Sequence, residues 1–377
     1  MRISSLSLVN FRNFAHIDAI EFPEAKLLVA AAPNATGKTN FLESIVFLLR
    51  GKSFRAGSED CVKFSEQGFS LKGEIVSDSG DNSTVDVGYD LSGRKLRISE
   101  NGAPVSPVLF YSHYPLVVFL PDDTFLFQRG PAYRRNFLNT TLVSVPKYLS
   151  ALVQYHRVLR QRNTALKKAQ NSADVSVWND LLVQHATEVW GQRAMFVDFL
   201  STHLSELYAT LSGSTFSFNV SFEKGVDTTK EYIEVLSDSW EQEKRYQHTL
   251  SGPHRDDLKI TIDNKLVQLV FSRGQMRTLV IALKIASAMF IKQVTMETPL
   301  LLFDEVLSEL DEARQRLLLD NLPDMQVLLT CTSLPSELAK QKDLALLDLR
   351  GLIAQEKVVS SSEQVTDAVS EVVKVSV

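Results

Sequence analysis

The stretch VAAAPNATGKTN, Val29 to Asn40, closes on Gly37-Lys38-Thr39 after a short loop. That close matches the phosphate-loop pattern G-x-x-x-x-G-K-[ST]. The first glycine of the pattern is Ala32 here, and Ala35 fills another place where glycine is common. Upstream, KLLVA (Lys26 to Ala30) is a short apolar run that reads as a buried strand. Downstream, Phe41 to Leu49 repeats apolar residues as a buried helix does. A strand, a loop and a helix in that order is the setting the pattern requires. Successive backbone N–H groups can then face phosphate oxygens, and the helix N-terminus adds partial positive charge. The candidate nucleotide-binding residues are Asn34, Ala35, Thr36, Gly37, Lys38, Thr39 and Asn40. Lys38 would reach the β- and γ-phosphates, and the Thr39 hydroxyl would take a place on Mg²⁺. If Ala35 needs φ > 0, its Cβ costs roughly 1–2 kcal/mol, whereas Asn34 tolerates that region better. The plain alternative is a strand–turn–helix with a surface Lys-Thr pair.

A second stretch, LLLFDEVLSELD (Leu300 to Asp311), places two carboxylates at the end of an apolar run. Asp304 would hold Mg²⁺, directly or through water, and Glu305 would polarise an attacking water. Acidic residues also favour helix starts, so Ser308 to Asp311 could be a capping segment. A third stretch, FSRGQMRTLVIALKIASAMF (Phe271 to Phe290), puts Ser272, Arg273, Gly274 and Gln275 ahead of a long apolar helix. Ser272 is a plausible N-cap and Gly274 admits close approach, giving a second anion-binding helix start. The alternative is a capped core helix with solvated Arg273 and Arg277.

S-x-G-Q before a helix, then a strand with Asp-Glu, then S-x-L-D, resembles the heads of ATP-binding-cassette ATPases. Within them the chain resembles the structural-maintenance-of-chromosomes branch, whose opening strand LSLVNFRNF (Leu6 to Phe14) fits. Those relatives insert a very long coiled coil between the motifs. Here about 265 residues separate Lys38 from Asp304. That compactness is similar to the RecF family of repair ATPases. So are KSFRAGSED (Lys52–Asp60), VVFLPDD (Val117–Asp123), GPAYRRNFLN (Gly130–Asn139) and TLSGPHRDDL (Thr249–Leu258). The resemblance runs in order over about residues 1–350.

The resemblance implies one ATP sandwiched between two subunits. The phosphate loop of one chain would face Ser272, Arg273, Gly274 and Gln275 of the other. ATP and Mg²⁺ then hold a homodimer together on DNA at single-strand gaps, and slow hydrolysis, with Lys38 and Glu305 as catalytic residues, releases it. Asn40 and Arg55 match family positions near the nucleotide. Cassette ATPases usually carry a switch histidine after the strand here read as Gln326–Thr330. This chain has TCTSL, so Thr330 or Thr332 would sense the γ-phosphate, with Ser308 and Asp311 of S-x-L-D nearby. RecR, RecO and the RecA recombinase are partners implied by the resemblance alone. There are two departures from the family: Ala32 and Ala35 replace loop glycines, and Glu305 stands where many members carry Asp.

Composition bounds the rest. The chain has 377 residues, 44% hydrophobic and 23% charged, with a net charge of −5. Any nucleic-acid binding must therefore come from local basic clusters. Cys61 and Cys331 are the two cysteines, which suits a reducing cytosol. The N-terminus lacks a secretory h-region, and apolar runs such as LVVFL are too short to cross a membrane. Between Thr124 and Ala173 there is no Asp or Glu. The same stretch carries Arg129, Arg134, Arg135, Lys147, Arg157, Arg160, Arg162, Lys167 and Lys168. It is a candidate surface for double-stranded DNA and single/double-strand junctions. Its aromatics, including Tyr133, read mainly as core. His254-Arg255-Asp256-Asp257 reads as a structural polar loop rather than a metal site.

Strand and helix patterns alternate at both ends of the chain, with a mostly helical insert between. The expected fold is α/β, a P-loop cassette-type ATPase head with mixed sheet and an inserted, mainly helical second lobe. The expected division is 1–126 with 249–352 as the head, 127–248 as the lobe, and 353–377 as a disordered tail. Two other classes remain open, a non-hydrolysing DNA-binding scaffold with a degenerate phosphate loop and a small-molecule kinase.

Overall fold

The computed structural model describes residues 1–349. The expected tail at 353–377 lies outside them. The strands are β1 (Arg2–Phe11), β2 (Phe14–Glu21), β3 (Leu27–Ala31), β4 (Gly68–Val76), β5 (Asn82–Asp90), β6 (Lys95–Glu100), β7 (Ala103–Pro104), β8 (Leu116–Phe119), β9 (Asn219–Glu223), β10 (Asp257–Ile262), β11 (Lys265–Leu266), β12 (Leu300–Phe303), β13 (Val327–Cys331) and β14 (Leu344–Leu347). The described residues divide into two compact units, Met1–Pro121 with 297–349, and Asp122–Met296.

In the first unit, strands from both ends of the chain build one parallel sheet in the order β14-β3-β13-β12-β8. Its central strands are unbroken apolar runs because both of their faces are buried: every residue of β12 (LLLF) and β13 (VLLTC) is inside. Parallel pairing sets Phe303 beside Leu329 and Thr330 beside Ala30, so the ends of β3, β12 and β13 meet at one edge. A six-stranded antiparallel sheet, β2-β1-β4-β5-β6-β7, completes the unit. The helix Lys38–Arg50 follows β3 and sends Phe47 into this sheet's core, edge-on to Phe69 at 4.9 Å and Phe11 at 5.9 Å. Strand β2 is the element the sequence pattern conceals. Its buried residues Phe14, Ile17 and Ile20 recur every third position, because the β1–β2 register shifts between Leu6 and Leu8. A bulge of this kind breaks the period-two signature of a strand.

The second unit holds the helices Pro131–Leu142, Tyr148–Leu166, Ala173–Ser212 and Arg273–Thr295, with a small sheet β11-β10-β9. The expected division places 249–296 in the head, and the structure groups these residues with the helical unit instead. β10 pairs only with β9 and β11, and Phe290 of Arg273–Thr295 packs on Phe196 at 5.1 Å and Phe199 at 5.5 Å. The second unit is therefore mainly helical with one small sheet. Arg273–Thr295 is long and apolar enough to cross a membrane, but 72% of its most apolar window is buried within the protein, as in a core helix.

A candidate nucleotide site at the edge of the parallel sheet

The loop after β3 carries its strain at Ala35, which sits in the left-handed region at φ 63°. The turn is not absorbed by Asn34. Gly37 follows at φ 97°, and a Cβ there would lie 2.7 Å from both terminal atoms of the Asn13 side chain. The positive φ favours glycine at position 37, and a Cβ there would also push the Asn13 amide aside. The buried Lys38 ammonium donates to the carbonyl oxygens of Ala32 (2.8 Å) and Pro33 (3.1 Å) and lies 3.1 Å from Glu305 Oε1. It also reaches Asn34 Oδ1 at 3.5 Å. The loop curls around the lysine, as a phosphate cradle requires.

The end of β12 brings Asp304 to the same place. Asp304 is 3% exposed; its Oδ2 accepts from Thr39 Oγ1 at 2.8 Å and its Oδ1 from Thr330 Oγ1 at 2.7 Å. The Thr330 hydroxyl also accepts from the Glu305 backbone N–H at 3.0 Å, so one side chain links both acidic residues. Glu305 itself is left-handed at φ 49°. Non-glycine residues held there cost energy and concentrate at functional sites. The Thr39 hydroxyl and Asp304 carboxylate form an all-oxygen donor pair. That fits Mg²⁺, which is held by one or two protein carboxylates together with substrate phosphates. No group of three or more His, Cys, Asp or Glu suited to a metal is found among the described residues.

A further shell was not legible as a site in the sequence. Glu43, on the helix after the loop, is fully buried and acts as a hub. Arg12 Nε (2.8 Å) and Arg55 (2.7 Å) both donate to its Oε2. Arg12 NH2 (2.6 Å) and Ser53 Oγ (2.5 Å) donate to its Oε1. Burial pushes the Glu43 carboxyl up, but the hydrogen bonds from Arg12, Arg55 and Ser53 outweigh it and leave it below the ordinary range. Arg55 also donates to Asn40 Oδ1, and Asn40 Nδ2 donates to Asn13 Oδ1 at 2.5 Å, beside Gly37. A polar chain therefore runs from the buried carboxylate to the phosphate loop. Asn40 and Arg55 are brought together by this hydrogen bond, and Asn13, Arg12 and Glu43 join them. The only sequence cue was an acidic residue at a position where the helix is otherwise apolar.

Thr332 is exposed beyond β13, so of the two candidate sensors the geometry brings in Thr330. Ser308 Oγ donates to the Glu305 carbonyl at 2.7 Å, and Asp311 caps the helix Glu312–Asp320 through Arg314 N at 2.8 Å. The capping reading of Asp311 is therefore what the structure displays. Ser272, Arg273, Gly274 and Gln275 belong to the second unit. There Ser272 and Gln275 form a capping box, with Ser272 Oγ accepting from Gln275 N and Gln275 Oε1 from Ser272 N.

The basic stretch separates into two classes. Arg157, Arg160, Lys167 and Lys168 are exposed. Arg134 and Arg162 are interior and correct the expectation that they face DNA. Arg134 pairs with Asp257 at 2.6 Å, and Arg162, 0% exposed, pairs with Glu243 at 2.6 Å. A buried charge demands such a partner. Arg129 is half-buried, lying 4.6 Å from the Tyr133 ring and paired with Asp122 at 3.3 Å. Tyr133 is 48% exposed and not core, whereas Phe137, Tyr148 and Tyr155 are buried as expected. Asp256 and His254 are structural: Asp256 takes hydrogen bonds from Trp190, Arg193 and Gly225 N, and His254 contacts Tyr155 and Thr249.

No protein-family model matches the chain. Individual proteins do. The chain is 32% identical over 349 residues to the DNA replication and repair protein RecF of Ruminiclostridium cellulolyticum, covering 88% of this chain and 93% of that protein. It is 33% identical over 345 residues to the RecF protein of Lachnospira eligens, covering 89% and 93%. Among solved structures, the recombination mediator protein RecF-ATPrS of the RecFOR pathway superposes with a TM-score of 0.82 at 27% identity, over 92% of this chain and 96% of that one. The Smc head bound to the C-winged helix domain of ScpA matches with a TM-score of 0.55 at 14% identity, over 92% and 95%, a likeness of fold.

Proposed function

The chain belongs to the RecF family of DNA replication and repair proteins, and from that premise we propose that it is a DNA-binding ATPase of recombinational repair whose dimerisation is driven by ATP. The observation that carries this is the convergence of Lys38, Thr39, Asp304, Glu305 and Thr330 at one sheet edge. These side chains supply a cation for phosphate, an oxygen pair for Mg²⁺ and a carboxylate for water, which supports phosphoryl transfer to water. In this reading Lys38 exchanges its loop carbonyls and Glu305 for the β- and γ-phosphate oxygens of ATP. Thr39 and Asp304 would hold Mg²⁺, which would neutralise phosphate charge. Glu305, released from Lys38, accepts the proton of a water attacking the γ-phosphorus as the bond to the bridging oxygen breaks, yielding ADP and phosphate. Thr330 fixes Asp304 and the Glu305 backbone, which suits a switch with slow turnover.

Ser272, Arg273, Gly274 and Gln275 would close the site from a second copy, so that ATP joins two chains. Asp122–Met296 would serve as the DNA-binding and dimerisation lobe, with Arg157, Arg160, Lys167 and Lys168 contacting the backbone of duplex or junction DNA and Arg129 and Arg135 at its margin. By the membership of its relative in the RecFOR pathway, RecO and RecR would be its partners and RecA loading its outcome. Titration calorimetry with ATP tests the site. Binding by the wild type and none by Lys38→Met is expected, and a wild type that binds no ATP would instead support a non-hydrolysing scaffold.

A further inference from the structure

A second cavity of about 220 Å³ lies within the Asp122–Met296 unit; Leu152 and Pro253 make part of its wall apolar, and Arg135, Asn139, Tyr155, His156, Arg193 and His254 supply its polar groups. That is room for roughly seven water molecules at about 30 Å³ each. Donors dominate its polar wall. Asn139 Oδ1 accepts from Tyr148 Oη (2.7 Å) and Arg193 NH2 (2.9 Å), which fixes the amide and leaves its Nδ2 donor without a partner among the described residues. Arg135 donates to the Asp256 carbonyl at 2.9 Å and has no ion-pair partner among the described residues. His156 packs against Tyr155 at 5.6 Å and makes no hydrogen bond among the described residues.

Acceptors, by contrast, are used up. No aspartate or glutamate is among the lining residues. The nearby carboxylates make their close ion pairs elsewhere, Asp256 with Arg193 and Asp257 with Arg134, and act on Arg135 only through space. His254 takes the Tyr155 hydroxyl on Nδ1 (2.6 Å) and gives its Nε2 proton to the Thr249 carbonyl (3.1 Å), which makes it a neutral imidazole. Burial holds His254 down to about 4 and lowers His156 as well, with Arg193 and Arg160 adding to the latter. A cavity with spare N–H donors, one unpaired guanidinium and no carboxylate is complementary to an oxyanion.

We propose that this cavity binds a phosphate group. The same helix that supplies Tyr155 and His156 presents the exposed Arg157 and Arg160. The phosphate could thus be a nucleic-acid backbone phosphodiester or that of a small phosphorylated molecule, and only the choice of source rests on the DNA-binding reading.

The test follows the ring resonances of His156 and His254 by NMR while inorganic phosphate is titrated against matched chloride. Saturable shifts of both rings are expected in the wild type, with affinity lowered about tenfold or more in Arg135→Gln, which removes one charge-assisted hydrogen-bond donor. Lys230→Gln, exposed and outside the cavity, should leave the phosphate titration unchanged. Duplex DNA that moves the same rings and is displaced by phosphate identifies the backbone as the source. Rings that respond to phosphate and not to DNA identify a small phosphorylated ligand. Rings that move with neither overturn the proposal, whatever Arg157 and Arg160 prove to do with DNA.

Discussion

The hydroxyl of Thr39 donates to a carboxylate oxygen of Asp304 at 2.8 Å, across a separation of 265 residues. The two residues follow β-strands that are not neighbours, since β13 lies between β3 and β12. Thr330, at the end of β13, closes the gap by donating to the other Asp304 oxygen at 2.7 Å. Thr330→Val removes a hydroxyl that serves Asp304 and the Glu305 N–H at once. Leaving buried polar groups unpaired costs about 1–3 kcal/mol. ATP turnover measured by phosphate release should fall well below wild type, while ATP affinity changes little. Unaltered turnover would remove Thr330 from the site.

Ala35 and Gly37 make opposite predictions although both have positive φ. Ala35→Gly relieves roughly 1–2 kcal/mol of left-handed strain and gives back about 0.4–1 kcal/mol through unfolded-state entropy. Denaturant midpoints should therefore be unchanged or slightly higher. Gly37→Ala forces a Cβ to within 2.7 Å of Asn13 at φ 97°, so it should lower the midpoint and abolish ATP binding. A tolerated Gly37→Ala would contradict the loop geometry.

Glu43 should make stability depend on acid pH. Its folded pKa lies below the ordinary carboxylate value, because the hydrogen bonds from Arg12, Arg55 and Ser53 prevail over burial. The stabilisation is then complete above the unfolded pKa, near about 4.3, and is lost as pH falls through the folded value. Glu43→Gln leaves two partly exposed arginines without their carboxylate and should cost about 1–3 kcal/mol at neutral pH. Its stability should also fall less steeply below pH of about 4. Parallel stability–pH curves for wild type and variant would show that Glu43 is not the group responsible.

The arginines of the basic helix should divide by burial. Arg157→Glu and Arg160→Glu should weaken duplex DNA binding and flatten its salt dependence, by about 0.9 in slope for each phosphate no longer neutralised. Arg162→Glu should instead destabilise the fold, since Arg162 is 0% exposed and paired with Glu243. Filter binding across a salt series, with a thermal melt for each variant, separates the two effects. Equal DNA defects without a stability loss in Arg162→Glu would refute the division.

Much of this site could be read from local pattern. The phosphate loop, the Asp304-Glu305 strand end and the Ser272 cap each declare themselves within a dozen residues, because strand, turn and cap chemistry are local. The buried strands were legible as apolar runs such as LLLF, whereas their parallel pairing across the chain was not. What escaped depended on tertiary partners. Glu43 looks like an ordinary helix residue until Arg12 and Arg55 arrive from other segments. Arg134 and Arg162 look like solvated charges until Asp257 and Glu243 bury them. β2 hid behind a bulge, and 249–296 were misassigned because strand pairing, not sequence proximity, decides which unit β10 joins.

The most direct test of ATP-driven dimerisation is light scattering with and without ATP and Mg²⁺ on wild type, Lys38→Met and Glu305→Gln. The wild type should dimerise with ATP and return to monomer as ATP is consumed, Lys38→Met should stay monomeric, and Glu305→Gln should remain dimeric. A wild type that binds ATP yet stays monomeric, or a Glu305→Gln dimer that decays as fast as the wild type's, would contradict the account.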